Sequence, residues 1–272
     1  MIALRRSVAA AAVLAAVAAA PAAHAHRMWM VPSSTVLSGS DAWVTVDAAV
    51  SNTLFHPDHV PLRLDGVSVI GPDGTKSSPL NGSTGKYRST FDVHMTAPGT
   101  YKIANVTDGL GASYKLGGET KRWRGSRADL ATAIPAGASD VKVTLNQRRL
   151  ETFVTVGAPT TTALKLTGQG LELEPVSHPN DLVSGEAAKF KLLLDGKPAA
   201  GVDVEIVPGA ARYRSTSGEI AAKTGADGVF EVTWPAPGMY WVEATARGGA
   251  APGIPGAERS AGYVATIEVL PE

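Results

Sequence analysis

The sequence contains no cysteine among its 272 residues. This absence excludes disulfide bonds, thiolate metal sites, cysteine nucleophiles and iron–sulfur clusters. The fold must therefore be held by hydrophobic cores, which a chain of this length can bury. A bound metal ion would need His, carboxylate, Met or backbone ligands.

Sequence motifs of common enzyme classes are missing as well. The chain has no G-x-S-x-G elbow, no H-E-x-x-H, no Walker loop and no dinucleotide fingerprint. Its acidic residues are scattered, and no pair is singled out for glycosidase chemistry. The sequence therefore predicts a protein that is not an enzyme.

The charge is balanced, with 25 basic and 25 acidic residues. No excess of one sign points to a nucleic acid or an anionic membrane as the partner. Beyond residue 25, no apolar run approaches the roughly 20 residues that a membrane span requires. We expect no nucleic-acid partner and no membrane span in the mature chain.

The first 25 residues are typical of a cleaved secretory signal peptide. Arg5 and Arg6 precede the apolar run 8–20, and Ala23-His24-Ala25 fits the A-x-A cleavage rule. Cleavage there takes two of the 25 basic residues and none of the 25 acidic ones, which leaves 247 residues with a net charge of −2. We expect a periplasmic protein whose first residue is His26, although a cut after Ala22 also satisfies the rule.

The rest of the chain has the pattern of an all-β protein. Gly and Pro recur every 8–12 residues, and the segments between them alternate apolar and polar residues, as in Val67–Ile70. A Thr-rich link near 158–166 predicts a boundary between two immunoglobulin-like or prealbumin-like β-sandwich domains, 26–158 and 165–272. The short segments APGTYKI and APGMYWV suggest that both domains contain a similar hairpin.

Three histidines form the leading candidate for a metal site. His56 and His59 lie in NTLFHPDHVPL, a loop stiffened by prolines, and His26 would begin the mature chain. A terminal histidine offers its α-amine and its ring to one metal, and the amine, with a reference pKa of about 7.7–8.0, is readily deprotonated. Four nitrogen donors suit Cu(II) or Ni(II), and Zn(II) or Co(II) less distinctively. The alternative is that these histidines are simply solvated or hydrogen-bonded.

The two remaining histidines are weaker metal candidates. In FDVHMTAP the strand pattern turns Phe91 inward and His94 outward, so His94 is expected to be solvated. His178 precedes a proline at a boundary between strand and loop, and the same expectation holds for it.

A basic run, KRWRGSR at 121–127, is the other notable cluster. We expect an exposed loop there. It could bind an anion, a glycan or an acidic partner surface, but such loops are usually only solvated.

The chain resembles the DUF4198 family of periplasmic proteins associated with nickel or cobalt uptake. The segment AHRMWMVPS is similar to the family's mature start at His26, Trp29 and Pro32, and GLELEPVSHPNDLVSGEAAKFKLLLDGKPAAGVDVEI followed by TGADGVFEVTWPAPGMYWVEA is similar to its second half. The resemblance implies a β-rich protein that binds metal beside an inner- or outer-membrane transporter. The assignment of His56 and His59 as metal ligands rests on their chemistry and not on a family motif.

Three functions from different classes follow. The leading hypothesis is a soluble periplasmic protein that binds a divalent transition metal (Ni, Co, Cu or Zn) through His26, His56 and His59 for uptake, delivery or buffering. The second is a non-catalytic module that binds a glycan or a membrane-protein partner. The third is a copper redox enzyme, because lytic polysaccharide monooxygenases also present copper on an N-terminal histidine.

Overall fold

The computed structural model describes residues 26–272, so the predicted signal peptide, 1–25, lies outside the described residues. This part of the chain is nearly all β, with one four-residue helix, α1 (Leu130–Ala133). Its strands are β1 (Arg27–Pro32), β2 (Val36–Leu37), β3 (Ala42–Ser51), β4 (Val60–Pro61), β5 (Val67–Ile70), β6 (Lys76–Ser77), β7 (Leu80–Thr84), β8 (Ser89–Met95), β9 (Gly99–Leu116), β10 (Glu119–Gly125), β11 (Ser139–Val156), β12 (Leu171–Pro175), β13 (Ala187–Leu194), β14 (Lys197–Pro198), β15 (Asp203–Pro208), β16 (Ile220–Lys223), β17 (Val229–Thr233), β18 (Gly238–Ala250) and β19 (Glu258–Val269).

These strands form three sheets. A five-stranded sheet has the order β1-β3-β8-β7 with β4 beside β3, and a four-stranded sheet contains β12, β13, β14 and β17. Between them, a ten-stranded sheet has the order β16-β15-β18-β19-β11-β9-β5-β6, with β10 beside β9 and β2 beside β11. The parallel pairing of β11 with β19, from Thr144 opposite Glu258 to Thr152 opposite Thr266, joins the two halves of the chain into this one sheet.

The ten-stranded sheet is shared by two sandwiches that lie on its opposite faces. On β11, Leu150 and Val154 belong to the core under the five-stranded sheet, whereas Phe153 belongs to the core under the four-stranded sheet. Side chains alternate between the two faces of a strand, so neighbouring residues serve different cores. The predicted all-β fold of two sandwiches is confirmed, and the shared middle sheet is a feature that the sequence did not reveal.

The alternation predicted for FDVHM is also confirmed. Phe91, Val93 and Met95 are buried, while Asp92 and His94 face outward from β8. This strand pairs with β3 in register, so its apolar side chains add to one face of the five-stranded sheet.

The two similar segments form equivalent connections between sheets and not the predicted hairpins, because β8 and β9 lie in different sheets, as do β17 and β18. Tyr101 donates its hydroxyl hydrogen bond to the carbonyl of Ala97 (2.9 Å), and Tyr240 donates to Ala236 (2.7 Å). Each tyrosine reaches back four residues, as in the tyrosine corner of immunoglobulin-like sandwiches. Both begin long strands of the middle sheet, β9 and β18.

The basic run 121–127 is mainly a strand and not the expected loop. Gly117 and Gly118, with φ of 60° and 84°, make a two-residue turn that folds β10 back along β9. This turn needs positive φ at both positions, which glycine adopts at little cost. The middle sheet therefore extends past both sandwiches, and Trp123 packs there against a small third core containing Leu110 and Leu145.

A buried ionic network lies where the two halves meet. Arg149 pairs with Glu151 and with Glu172, at 3.2 Å in each case, and Tyr263 donates to Glu151 at 2.9 Å. Glu172 also accepts hydrogen bonds from the backbone of Thr167 (2.9 Å) and Gly168. The network ties the link between the halves to the middle sheet.

The part of the chain that the structure describes holds no helix with the length and apolar character needed to cross a membrane.

Candidate metal centre

The first strand, β1, is anchored at its start, directly after His26. The guanidinium of Arg27 lies 2.5 Å from Glu205 and 3.1 Å from Glu219, and it sits over the indole of Trp241 at 5.1 Å. Trp241 donates from Nε1 to the carbonyl oxygen of Met28 at 2.9 Å. These contacts fix the start of β1 against the second half of the chain.

Sheet register then determines what lies beside His26. Because β1 runs antiparallel to β3 and Arg27 pairs with Ser51, the start of β1 lies next to the loop that follows β3. That loop, 52–59, contains both other predicted ligands.

Asp58 gives this loop its shape. Its carboxylate accepts backbone hydrogen bonds from Asn52 (2.7 Å) and Thr53 (3.0 Å). Burial raises the pKa of Asp58, but these backbone hydrogen bonds outweigh it, so the pKa lies below its ordinary value. Phe55, at φ 58°, packs edge-on against Trp29 at 5.8 Å and closes the loop over the sheet.

The structure brings two of the three predicted ligands together. The rings of His26 and His59 are stacked, with centroids 3.8 Å apart and planes within 2° of parallel. His26 is exposed, so it can change its side-chain rotamer without disturbing a core.

The stacked arrangement is not itself a shared metal site. The lone pair of an imidazole nitrogen lies in the ring plane, and a metal ion sits about 2.0–2.1 Å from that nitrogen. Two parallel planes 3.8 Å apart cannot both contain the same ion.

His56 is engaged elsewhere. Its Nε2 lies 3.2 Å from Nη1 of Arg212, in a short 3-10 turn of the second half. A metal ion on Nε2 would have to displace this guanidinium. Within residues 26–272, no three His, Asp or Glu side chains are arranged to hold a metal ion, so the complete three-histidine set stays a prediction.

His94 lies on the outer face of the five-stranded sheet. Its Nε2 is 2.5 Å from a carboxylate oxygen of Asp41, and its ring stacks on Trp43 with centroids 4.1 Å apart. These neighbours hold the ring flat on the sheet.

His178 lies at the junction of the two halves. Its Nδ1 accepts a hydrogen bond from the backbone of Asn180 (3.2 Å), so Nε2 carries the proton that it donates to the carbonyl of Thr160 (3.1 Å). The Nδ1 bond lies within the loop of His178 itself, and the Nε2 bond connects this loop to the segment after β11.

Charged residues that the sequence analysis did not select also surround His26. A cavity of about 270 Å³ beside it is lined by polar side chains from the second half of the chain, among them Glu205, Glu243 and Arg247. Burial raises the pKa of Glu243, and the nearby Glu205 raises it further. No local sequence signal marks these residues, because they reach His26 only through long-range strand pairing.

A family model described as "Domain of unknown function (DUF4198)" matches residues 23–248. The chain belongs to the DUF4198 family. No curated protein matches this DUF4198 chain.

Solved structures give only weak likenesses to this DUF4198 protein. The D0-D1 domain of intimin aligns over 89% of the chain and 97% of its own length, at 13% identity and a TM-score of 0.21. Trypsin-activated alpha-2-macroglobulin from Escherichia coli aligns over 91% of the chain, at 12% identity and a TM-score of 0.20, and the chain spans only 16% of that protein. The human OSCAR ligand-binding domain aligns over 90% of the chain and all of its own length, at 11% identity and a TM-score of 0.21. Scores this low support no functional conclusion.

Proposed function

We propose that this protein is a periplasmic metal-binding protein that holds a divalent transition metal for uptake, delivery or buffering. The observation that carries the proposal is the stacked pair of His26 and His59, whose ring centroids are 3.8 Å apart. The first of these residues is also the one that cleavage of the predicted signal peptide would make N-terminal. Two residues would then supply three nitrogen donors.

The anchoring of both partners supports this site. His26 precedes a strand end held by Arg27 and Trp241, and His59 lies in a loop held by Asp58. Fixed backbone positions lower the cost of ordering the donors, so that only the exposed His26 ring would have to turn for both rings to face one ion. His56 is a further donor if Arg212 releases its ring.

The metal is proposed by chemistry and by family. An all-nitrogen donor set binds Cu(II) most tightly by the Irving–Williams order, followed by the other late divalent metals. The family resemblance favours nickel or cobalt, with a membrane transporter as the receiving partner. Metal supply in the compartment would decide between them.

Metal titration of matched variants tests the proposal. The protein purified after export is titrated with Ni(II), Co(II), Cu(II) and Zn(II), alongside His59→Ala and the control His94→Ala. Loss of a group that only orients a ligand costs about 10–100-fold in metal affinity. Loss of a ligand should therefore cost at least about tenfold.

We expect one tight site per chain, weakened in His59→Ala and unchanged in His94→Ala. The control, His94→Ala, removes an imidazole that is bound to Asp41 on the outer face of the five-stranded sheet, away from His26 and His59. Equal affinities in all three proteins, or no tight site in the unaltered protein, would contradict the proposal.

A further inference from the structure

The projecting end of the ten-stranded sheet has one face that no other sheet covers. Side chains that point to this face are identified by register: Arg122 lies opposite Ser113, which lies opposite Lys142, and Arg124 lies opposite Gly111. The same face continues across the parallel pairing to β19 and β18. Lys115 also lies on this face but pairs with Asp140, and we call the five other cations the cationic platform: Arg122, Arg124, Lys142, Arg148 and Arg247.

All five cations of the platform are exposed. Within residues 26–272, none of them forms an ion pair within 4.0 Å, unlike Lys121, which pairs with Glu119, or Lys115, which pairs with Asp140 at 2.7 Å. Two unpaired acids, Glu243 and Glu258, share the face. The platform therefore carries a net charge of about +3 in a chain whose overall charge is balanced.

The dimensions of the platform suit an extended ligand. Lys142 and Arg148 lie six residues apart on one strand, which corresponds to about 20 Å. Arg122 and Lys142 lie two strands apart, which corresponds to about 10 Å. Such spacing can engage several anionic groups of one polymer at once.

The floor between these cations is made partly of glycine. Gly109 and Gly111 on β9 and Gly262 on β19 all face the platform. A Cβ atom added to any of them would lie no closer than 3.4 Å to another atom of the protein. Glycine weakens a strand, and it often marks a place where a ligand approaches the backbone. Packing within the protein does not require these three glycines, and they leave the backbone between the cations open to a ligand.

At its inner end the platform runs into the cavity beside His26, which Arg148 and Arg247 also line. A membrane surface cannot enter such a recess, whereas the end of a polymer can. The aromatic side chain nearest in sequence, Trp123, points to the opposite face of β10 into the third core, so it is not available to stack bases of a nucleic acid.

We propose that the cationic platform binds an acidic polysaccharide through its carboxylate groups. Four of the five cations are arginines, whose guanidinium groups bind carboxylates with two parallel hydrogen bonds. The glycine floor lets sugar rings lie flat against the backbone. This binding does not depend on the metal site.

Binding of polygalacturonate oligomers, with neutral dextran as the reference polymer, tests the proposal. Affinity is measured at low and at high salt for the unaltered protein and for the double variant Arg124→Gln/Arg148→Gln. The matched control is Lys76→Gln/Lys86→Gln, which removes two exposed cations at other sites. Each lost arginine contact should cost about tenfold in affinity.

A second variant distinguishes a blocked ligand surface from a protein that has lost its fold. Gly111→Val adds a side chain to the floor, where a Cβ atom would lie 3.4 Å from Nδ2 of the exposed Asn146, and valine favours strands. We expect Gly111→Val to fold at least as stably as the unaltered protein and to lose most polygalacturonate binding. We expect no binding to dextran and weaker binding at high salt.

Equal polygalacturonate binding by the unaltered protein and the arginine double variant would overturn the proposal. Tighter binding to single-stranded DNA, or to phosphatidylglycerol vesicles, than to polygalacturonate would overturn the choice of a polysaccharide. Undiminished binding by Gly111→Val would overturn the role of the glycine floor.

Discussion

Trp241 donates a hydrogen bond from its indole Nε1 to the carbonyl oxygen of Met28 at 2.9 Å, across 213 positions of sequence. Met28 lies two residues after His26, and Trp241 is buried in the middle sheet. The start of the first strand is thereby fastened to the second half of the chain. The proposed metal site depends on this hydrogen bond, because His26 lies beside His59 only when β1 is paired with β3.

Replacing Trp241 tests that dependence. Trp241→Phe keeps an aromatic ring but leaves the Met28 carbonyl without its donor, which should lower the free energy of unfolding by about 1–3 kcal/mol. Urea denaturation measures the change. Trp43→Phe, at a tryptophan that is 45% exposed, is the control and should change stability by less than about 0.5 kcal/mol. Equal losses in the two variants would show that the hydrogen bond contributes little.

The ionic network at the junction should be costly to break. Arg149→Met leaves Glu151 and Glu172 buried without their guanidinium partner, and such a loss typically costs about 3–5 kcal/mol. Lys189→Met is the matched control, since it breaks an exposed pair with Glu231 and should cost less than about 1 kcal/mol. Urea unfolding of both variants decides the point. A cost for Arg149→Met no larger than that of the control would contradict the structural role of the network.

The two tyrosine corners should behave alike. Tyr101→Phe and Tyr240→Phe each remove one hydroxyl that bonds to the backbone four residues earlier, at an expected cost of about 0.5–1.5 kcal/mol each. Tyr213→Phe, at a tyrosine that is 84% exposed, provides the baseline in the same thermal-unfolding measurements. If either corner variant is as stable as the baseline variant, its hydroxyl hydrogen bond does not contribute the expected stability.

Asp195 gives the fold a defined dependence on acid. A hydrogen bond from Arg259 lowers the pKa of Asp195, burial opposes it, and the Gly170 backbone N–H lowers it further, so the pKa lies below 3.8. A carboxylate with a lowered pKa stabilises the folded state above its unfolded pKa. This stability is lost as the pH falls through the folded value. Asp195→Asn should therefore be less stable than the unaltered protein at neutral pH, and the difference should shrink below about pH 3.8. A difference that stays constant from pH 7 to pH 2.5 would contradict this linkage.

Local patterns predicted local structure well. The alternation around Phe91 predicted the inward and outward faces of β8, and the two Ala-Pro-Gly-x-Tyr segments predicted a repeated local structure, although each segment connects two sheets and does not form the predicted hairpin. In both cases neighbouring residues alone determine the outcome, through the two-residue period of a strand and the geometry of a tight turn.

Long-range pairing was beyond such patterns. The shared sheet depends on the parallel pairing of β11 with β19, in which Thr144 lies opposite Glu258. No local pattern in either strand predicts which strand it pairs with. For the same reason, the run 121–127 was expected to be a loop, although pairing with β9 makes most of it a strand. Among the candidate ligands, chemistry selected His26, His56 and His59, but only the register of β1 with β3 places His26 and His59 side by side.

Metal affinity measured with and without a free amine on His26 tests the central claim most directly. Calorimetric titration would compare the exported protein, whose N-terminus is established by mass spectrometry, with a variant that carries one extra glycine before His26. We predict that the extra residue weakens binding strongly, because it removes the chelate formed by the α-amine and the ring, while the stacked rings and the fold are unchanged. Equal affinity in the two proteins, or a mature chain that does not begin at His26, would contradict the account.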